Sequence, residues 1–367
     1  MSQAILEAQR AEGTEERVLE AFRRWGYLAA DLDPLDRLAP EPLPGLDPAE
    51  TAAAERARAW YAGPIGAEFM HIPDPERRRW VQERMEGPAP AVDRDRVLEE
   101  LMQADLFEQV LQARYLGTKR FSIEGVDALL PLLTEMLEGC AARQAEQVVL
   151  AMSHRGRLNV MVHTVGRPAA EIFAGFEDVD PRSVMGAGDV KYHMGATGAF
   201  RARNGRELAI HLVSNPSHLE AVDPIAVGRV RAKQTRRGGG DARRQVVPIL
   251  LHGDAAFAGQ GVLAETLNMA DLAGFDVGGT IHVIVNNLIG FTTEPKNLHS
   301  SRFASDVARR LPIPVFHVNG EELEAVAKAA AMAVDYRAAF ADDVIVDLIG
   351  YRRHGHSEVD DPTITQP

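Results

Sequence analysis

VVPILLHGDAAFAGQGVLAETLNMADLAGFDVGGTIHVIVNNLIGFTT, residues Val246 to Thr293, is the stretch on which the fold turns. Val246 to His252 is an apolar, β-branched run suited to a buried parallel strand, and it stops at Gly253-Asp254. A helical spacing follows in Val262, Leu263, Thr266, Leu267 and Leu272, with Gly274 as its stop, and Thr280 to Val285 reads as a second strand. The pattern is a β-α-β unit. Parallel sheets built from such units bind ligands at the carboxyl ends of their strands, and those ends carry Asp254 and Asn286-Asn287.

The residue types at these ends suit one chemistry. Asp254 offers a hard anionic oxygen, Asn287 an amide oxygen and Ile289 a backbone carbonyl, which together make one face of an octahedral Mg²⁺ shell that phosphate oxygens and water complete. Gly253, Ala255 and Ala256 are small enough for backbone N–H groups to approach a diphosphate at the positive end of the helix. A Gly-Asp pair alone is equally an ordinary strand-to-helix turn with an acidic cap. Gly-Asp at one strand end and Asn-Asn at the next, one helix apart, resembles the thiamine diphosphate signature.

Agreement with a known family extends from Tyr115 to Pro367, in YLGTKRFSIEG, SHRGRLNV, GDVKYHMGA, NPSHLEAVDP, HGDAAFAGQG, GGTIHVIVNNLIGFTT and YRRHGHSEVDDPTITQP. The chain resembles the decarboxylating component of 2-oxoglutarate dehydrogenase complexes. That resemblance implies an α/β thiamine diphosphate-binding fold: a mostly parallel sheet flanked by helices over residues 113–367, with a helical extension and a Pro-rich connector over residues 1–112. It implies thiamine diphosphate and Mg²⁺ as cofactors, with Asp254, Asn287 and the Ile289 carbonyl holding the metal. It implies 2-oxoglutarate as substrate and transfer of the succinyl unit to a lipoyl group on an acyltransferase partner. The family's pyrimidine-binding half is expected on a further segment or a partner subunit, in a homodimer or heterotetramer. Decarboxylation of a related acid such as 2-oxoadipate and a non-catalytic assembly role are the alternatives.

Other candidate residues follow the same strand-end logic. Gln147 to Met152 reads as a buried strand that delivers His154 and Arg155 at its end, where an imidazole and a guanidinium can meet a carboxylate. GTKRFSIE, Gly117 to Glu124, is a basic and aromatic loop ahead of a helix from Val126 to Leu137; Ser183 to Arg206 reads as a glycine-rich loop around His193. By resemblance, His154 and His193 face the distal end of the 2-oxo acid, Phe121 and Ser122 line its pocket, and Asn215 and His218 stand at the site wall. His356, after a strand from Val344 to Leu348, is expected at the diphosphate, as is Ser300-Ser301-Arg302. Ser153 and Ser357 depart from the family's more usual residues at those positions.

Composition narrows the partners. A net charge of −13 lacks the basic surface that nucleic-acid binding needs, so small molecules and proteins are expected. One cysteine, Cys140, allows no intrachain disulfide. No apolar run spans a bilayer and the start lacks a secretory pattern, which makes a cytoplasmic, non-membrane protein the expectation.

In the first third, helices are expected up to Gly26, then an extended surface connector over Asp31 to Pro48, then charged scaffold helices from Ala49 to Gln112. In the last of these helices Asp93 or Asp95 is the cap, and Leu98, Leu101, Met102, Leu106, Val110 and Leu111 are the expected buried stripe. Ser217 is expected to cap a helix opening at His218.

Overall fold

Short, mostly aliphatic runs, bounded by glycine or polar turns, become the inner strands of one sheet in the computed structural model, which describes residues 15–44, 51–177 and 191–365, and two less apolar segments close its edges. The strands are β1 (Ile65–Glu68), β2 (Gln147–Met152), β3 (Ala196–Arg201), β4 (Glu207–Leu212), β5 (Val246–Gly253), β6 (Ile281–Asn286), β7 (Val315–Asn319) and β8 (Val344–Ile349). The sheet order is β1-β7-β8-β6-β5-β2-β4-β3. The six inner strands run parallel, and β1 and β3 close the two edges antiparallel. The α/β, mostly parallel sheet read from the sequence is therefore the observed one.

Strands in the middle of the sheet are buried along their whole length because helices cover both faces. On one face, helices Leu129–Ala142 and Leu323–Phe340 pack Leu133, Met136, Leu137, Val326 and Ala330 against Leu150, Ile249, Leu251, Val283 and Val346. On the other, helix Asp223–Arg237 sets Ala226 and Val230 on Val149, Ala151 and Leu250. Helices Asp254–Gly259 and Gly261–Asn268 set Phe257, Leu263 and Leu267 on Ile284 and Ile345. Gly279 enters β6 at φ +84°, where a Cβ would lie 2.2 Å from the Asp342 carbonyl oxygen.

The structure corrects several local expectations. The segment from Ala49 to Gln112, expected to be helical, also contributes β1, which four residues are enough to make because β7 supplies the partner. Part of the loop expected around His193 is β3, formed by hairpin pairing with β4; residues 183–190 of that loop lie outside the described residues. Helix Arg94–Arg114, capped by Asp93, turns a different face inward: Leu111 is buried as expected, but with Val97, Ala104, Phe107 and Glu108, while Leu98, Met102, Leu106 and Val110 are exposed. Glu108 decides the face, since its buried carboxylate receives Arg120 Nε at 3.0 Å and Asn159 Nδ2 at 2.7 Å. Leu272 lies beyond the helix that ends at Asn268 and is exposed. The first part of the connector is no surface linker: Leu32 packs with Leu288, Phe303 and Ile349, and Asp33 accepts three backbone N–H bonds. Ser217 caps nothing, because the helix opens at Asp223.

Candidate functional site

Pairing of Gly253 with Val285 brings Asp254 and Asn286-Asn287 out at neighbouring ends of β5 and β6. Asp254 opens the helix that follows β5 and is 5% exposed. Burial, reinforced by the charge of Asp347, pushes its carboxyl up to about 7, against the Ala255 N–H and the Arg155 guanidinium. Asn286 is committed to the scaffold: its Nδ2 donates to Asp347 Oδ1 at 3.0 Å and its Oδ1 accepts the Leu288 N–H at 2.9 Å. Asn287 is equally buried, yet its Oδ1 accepts no hydrogen bond.

The turn beyond is tight, with Leu288 and Phe291 both in the left-handed region and buried Ile289 between them. A Cβ on Gly290 would lie 2.9 Å from Ala255 Cβ, so the two strand-end loops are in contact. A Cβ on Gly253, by contrast, would meet nothing within 4 Å, which leaves open space beside Asp254. A buried carboxylate and an unsatisfied amide oxygen on touching loops call for a hard cation, and the oxygen donor set fits Mg²⁺.

The second part of the site grows from the next strand over. His154 follows β2, and its ring centroid lies 5.0 Å from that of His193 in the turn Lys191–His193. Phe121 stacks on His154 at 5.3 Å and meets Tyr192 and His356 edge-on at 4.7 and 5.4 Å. Burial, then the neighbouring charge of His193, Arg157 and His356, lowers the His154 pKa to about 4, only partly opposed by the Pro216 carbonyl; its Nε2 has no hydrogen-bond partner. Burial, then Arg155 and Arg352, likewise lowers His356 to about 4. Both imidazoles are neutral at pH 7 and present N–H donors or lone pairs rather than charge.

Arg155 binds the two halves together. It donates to the Ser122 and His356 carbonyls, each at 2.9 Å, and its charge acts on Asp254. The Phe121 loop is held from outside by Glu358, whose carboxylate accepts the N–H groups of Arg120, Phe121 and Ser122 at 2.7, 3.1 and 2.6 Å. This anchoring explains how Phe121 keeps a φ of 54°.

The structure thus brings together Phe121, His154, His193 and His356, and joins them through Arg155 to Asp254 beside Ala255, Ala256, Asn287 and Ile289. Ser122 is buried with its hydroxyl donating to Glu124, so it shapes the loop. Asn215 is buried with an unpartnered Oδ1, and its N–H donates to the His193 carbonyl. His218 is exposed. Arg302 turns away from the diphosphate position expected for it, toward Glu41 and the carbonyls of Leu28 and Ala39. Sequence reading missed Tyr192, Glu358 and Ser217, whose Oγ lies 3.1 Å from His193 Nε2; a serine and a glutamate in polar runs carry no signal of their own.

Residues 101–367, most of the chain, match the dehydrogenase E1 component family. The chain belongs to that family. Membership of the dehydrogenase E1 component family implies thiamine diphosphate dependence. Similar relatives include the multifunctional 2-oxoglutarate metabolism enzyme of Mycolicibacterium vanbaalenii, 44% identical over 97% of this chain and 32% of that protein. The 2-oxoglutarate dehydrogenase E1/E2 component of Corynebacterium glutamicum is 43% identical over 96% of this chain and 32% of its own length. A multifunctional 2-oxoglutarate metabolism enzyme of Mycobacterium sp. strain JLS is 45% identical over 97% and 31%. The chain therefore spans about a third of the length of these relatives.

Proposed function

We propose that this chain carries the diphosphate- and magnesium-binding part of an E1 component that decarboxylates 2-oxoglutarate and passes the succinyl group to a lipoyl acyltransferase. The observation that carries the reading is the buried Asp254 carboxylate on a loop that touches the one bearing the unsatisfied Asn287 oxygen, with the His154–His193 pair at the next strand end. The names of the similar relatives support the choice of acid.

Asp254, Asn287 and the Ile289 carbonyl would hold Mg²⁺, while Gly253, Ala255 and Ala256 leave room for a diphosphate at the helix start. Thiamine diphosphate, when bound, supplies the carbanion-stabilising centre. His154 and His193 receive the distal carboxylate of the substrate: each imidazole offers an N–H, and an arriving anion favours protonation of His154. Phe121 and Tyr192 wall this pocket and keep water from the imidazoles. His356, held over the site by Arg155, faces the diphosphate. Asn215 and His218 belong to the wall segment, with Asn215 supporting His193.

On this reading residues 113–367 form the diphosphate-binding unit and residues 1–112 an extension that finishes its sheet. The pyrimidine-binding half comes from another segment or subunit, the assembly is a homodimer or heterotetramer, and the setting is the cytoplasm and the tricarboxylic acid cycle. Among the described residues no helix is long and apolar enough to cross a membrane.

The test is decarboxylation of 2-oxoglutarate, 2-oxoadipate and pyruvate by the chain with thiamine diphosphate and Mg²⁺, alone and mixed with the C-terminal half of a close relative. Turnover of 2-oxoglutarate in the mixture, abolished by Asp254→Ala, is the expected result. A mixture inactive on all three acids, with no Mg²⁺-dependent binding of thiamine diphosphate, overturns the proposal.

A further inference from the structure

On the sheet face covered by helix Asp223–Arg237, His252 of β5 and His282 of β6 stack with ring centroids 5.2 Å apart. His282 Nε2 lies 3.4 Å from Asp343 Oδ2, and His282 Nδ1 lies 3.0 Å from His252 Nε2. Asp343 is an acceptor, and its other oxygen already takes the Thr280 N–H at 2.7 Å. One arrangement gives each of these N–H groups an acceptor and leaves a ligand atom over: His282 donates to Asp343, and His252 Nε2 donates to His282. The second nitrogen of His252, Nδ1, is left with its lone pair.

That lone pair points at two carboxylates. His252 Nδ1 is 2.5 Å from Glu220 Oε2 and 3.5 Å from Asp223 Oδ2. Glu220 Oε1 and Asp223 Oδ2 accept no hydrogen bond, although the residues are only 6% and 1% exposed and His252 is wholly buried. The three ligand atoms lie within 4.8 Å of one another. Buried acceptors that converge in this way need positive charge between them. A shared proton joins the groups only pair by pair, as between Glu220 and Asp223, whereas one divalent ion serves all three ligand atoms at once.

We propose that Glu220, Asp223 and His252 hold a divalent transition-metal ion of the zinc class, at a site separate from the magnesium cradle of Asp254 and Asn287. One imidazole nitrogen and two carboxylates favour zinc over magnesium, which takes oxygen alone. The His282–Asp343 pair is the outer support that metal-binding histidines need, since it fixes both tautomer and ring orientation. Metal bonds of about 2.0–2.2 Å in a tetrahedral shell separate ligand atoms by roughly 3.3 Å, so the ion opens the His252–Glu220 contact by less than an ångström. The site ties the segment carrying Asn215 and Ser217, both of which touch His193, to β5.

The experiment is metal analysis and optical spectroscopy of the full chain, dialysed against Zn²⁺ or Co²⁺ with Mg²⁺ and thiamine diphosphate in excess. The expected result is about one equivalent of Zn²⁺ and intense tetrahedral Co²⁺ bands, retained in Asp254→Asn and lost in Asp223→Asn. The spectrum of the unaltered chain stands even where Asp223→Asn fails to fold. No bound transition metal, weak octahedral bands that Mg²⁺ displaces, or loss only in Asp254→Asn overturns the proposal and leaves a proton-sharing cluster or ions in the magnesium cradle.

Discussion

A carboxylate as buried as Asp254 is stable as an anion only with a counter-charge, which the proposed Mg²⁺ would supply. Asp254→Asn keeps the shape and removes the charge. Mg²⁺-dependent binding of thiamine diphosphate, followed by quenching of tryptophan fluorescence, is expected to fall beyond detection in that variant. Asn287→Ala, which removes one neutral ligand, is expected to weaken it by about 10–100-fold; unchanged binding in either variant contradicts the cradle. His154→Phe keeps the ring that Phe121 stacks on and removes the donor. Its expected signature is a rise in KM for 2-oxoglutarate far larger than any change for pyruvate, which has no distal carboxylate to lose.

The helix Arg94–Arg114 and the strand β1 show how an element's context overrides its pattern. Two apolar stripes run along that helix at helical spacing, and periodicity cannot rank them. The buried Arg120–Glu108 pair ranks them, through an ionic contact between residues twelve apart in sequence and across a turn. Chemical denaturation separates the faces: Phe107→Ala is expected to cost about 3–5 kcal/mol, whereas Leu106→Lys should stay within about 0.5 kcal/mol. The reverse ranking would restore the stripe read from the sequence. Strands β2, β5, β6 and β8 were legible because each is a largely aliphatic run. β1 and β3 were not, since IGAE and ATGAFR have little apolar content and owe their form to the strands they pair with. The strand-end residues Asp254, Asn287, His154 and His356 were legible for the same reason as their strands, while Glu358 and Tyr192 act through contacts that only the folded chain creates.

Charge inside the whole molecule sets its response to pH. Burial alone would lower the pKa of His317, but hydrogen bonds of 2.8 Å to both Asp347 and Glu68 raise it to about 9. Glu68 shares in this: burial would raise its carboxyl, and His317 with Arg309 pulls it below its usual value. A raised folded pKa means that the stabilisation is complete below the unfolded value near 6.5 and is lost as pH climbs through about 9. His154 and His356 act in the opposite sense: with folded values of about 4, they make the unfolded chain bind more protons, so stability rises from pH 4 toward 6.5. The carboxyls of Asp254 and Glu220, raised by burial to about 7, oppose this gain over the same interval. The clear signature is therefore alkaline: thermal melts should lose stability as pH climbs through about 9, and His317→Gln should flatten that alkaline limb. An alkaline limb that keeps its slope in the variant refutes the role given to His317.

The pairing of Ile65 with Val318 also has a meaning for how the protein is made. The ribosome releases β1 long before its partner β7, and at about 5–20 residues per second the interval is roughly 10–50 s. During that time the first part of the chain has neither the strand it pairs with nor the imidazolium that neutralises Glu68. The edge of the sheet and the partner of the buried Glu68 carboxylate are thus completed only once β7 has emerged, so the first part of the chain is among the last to take its final pairing.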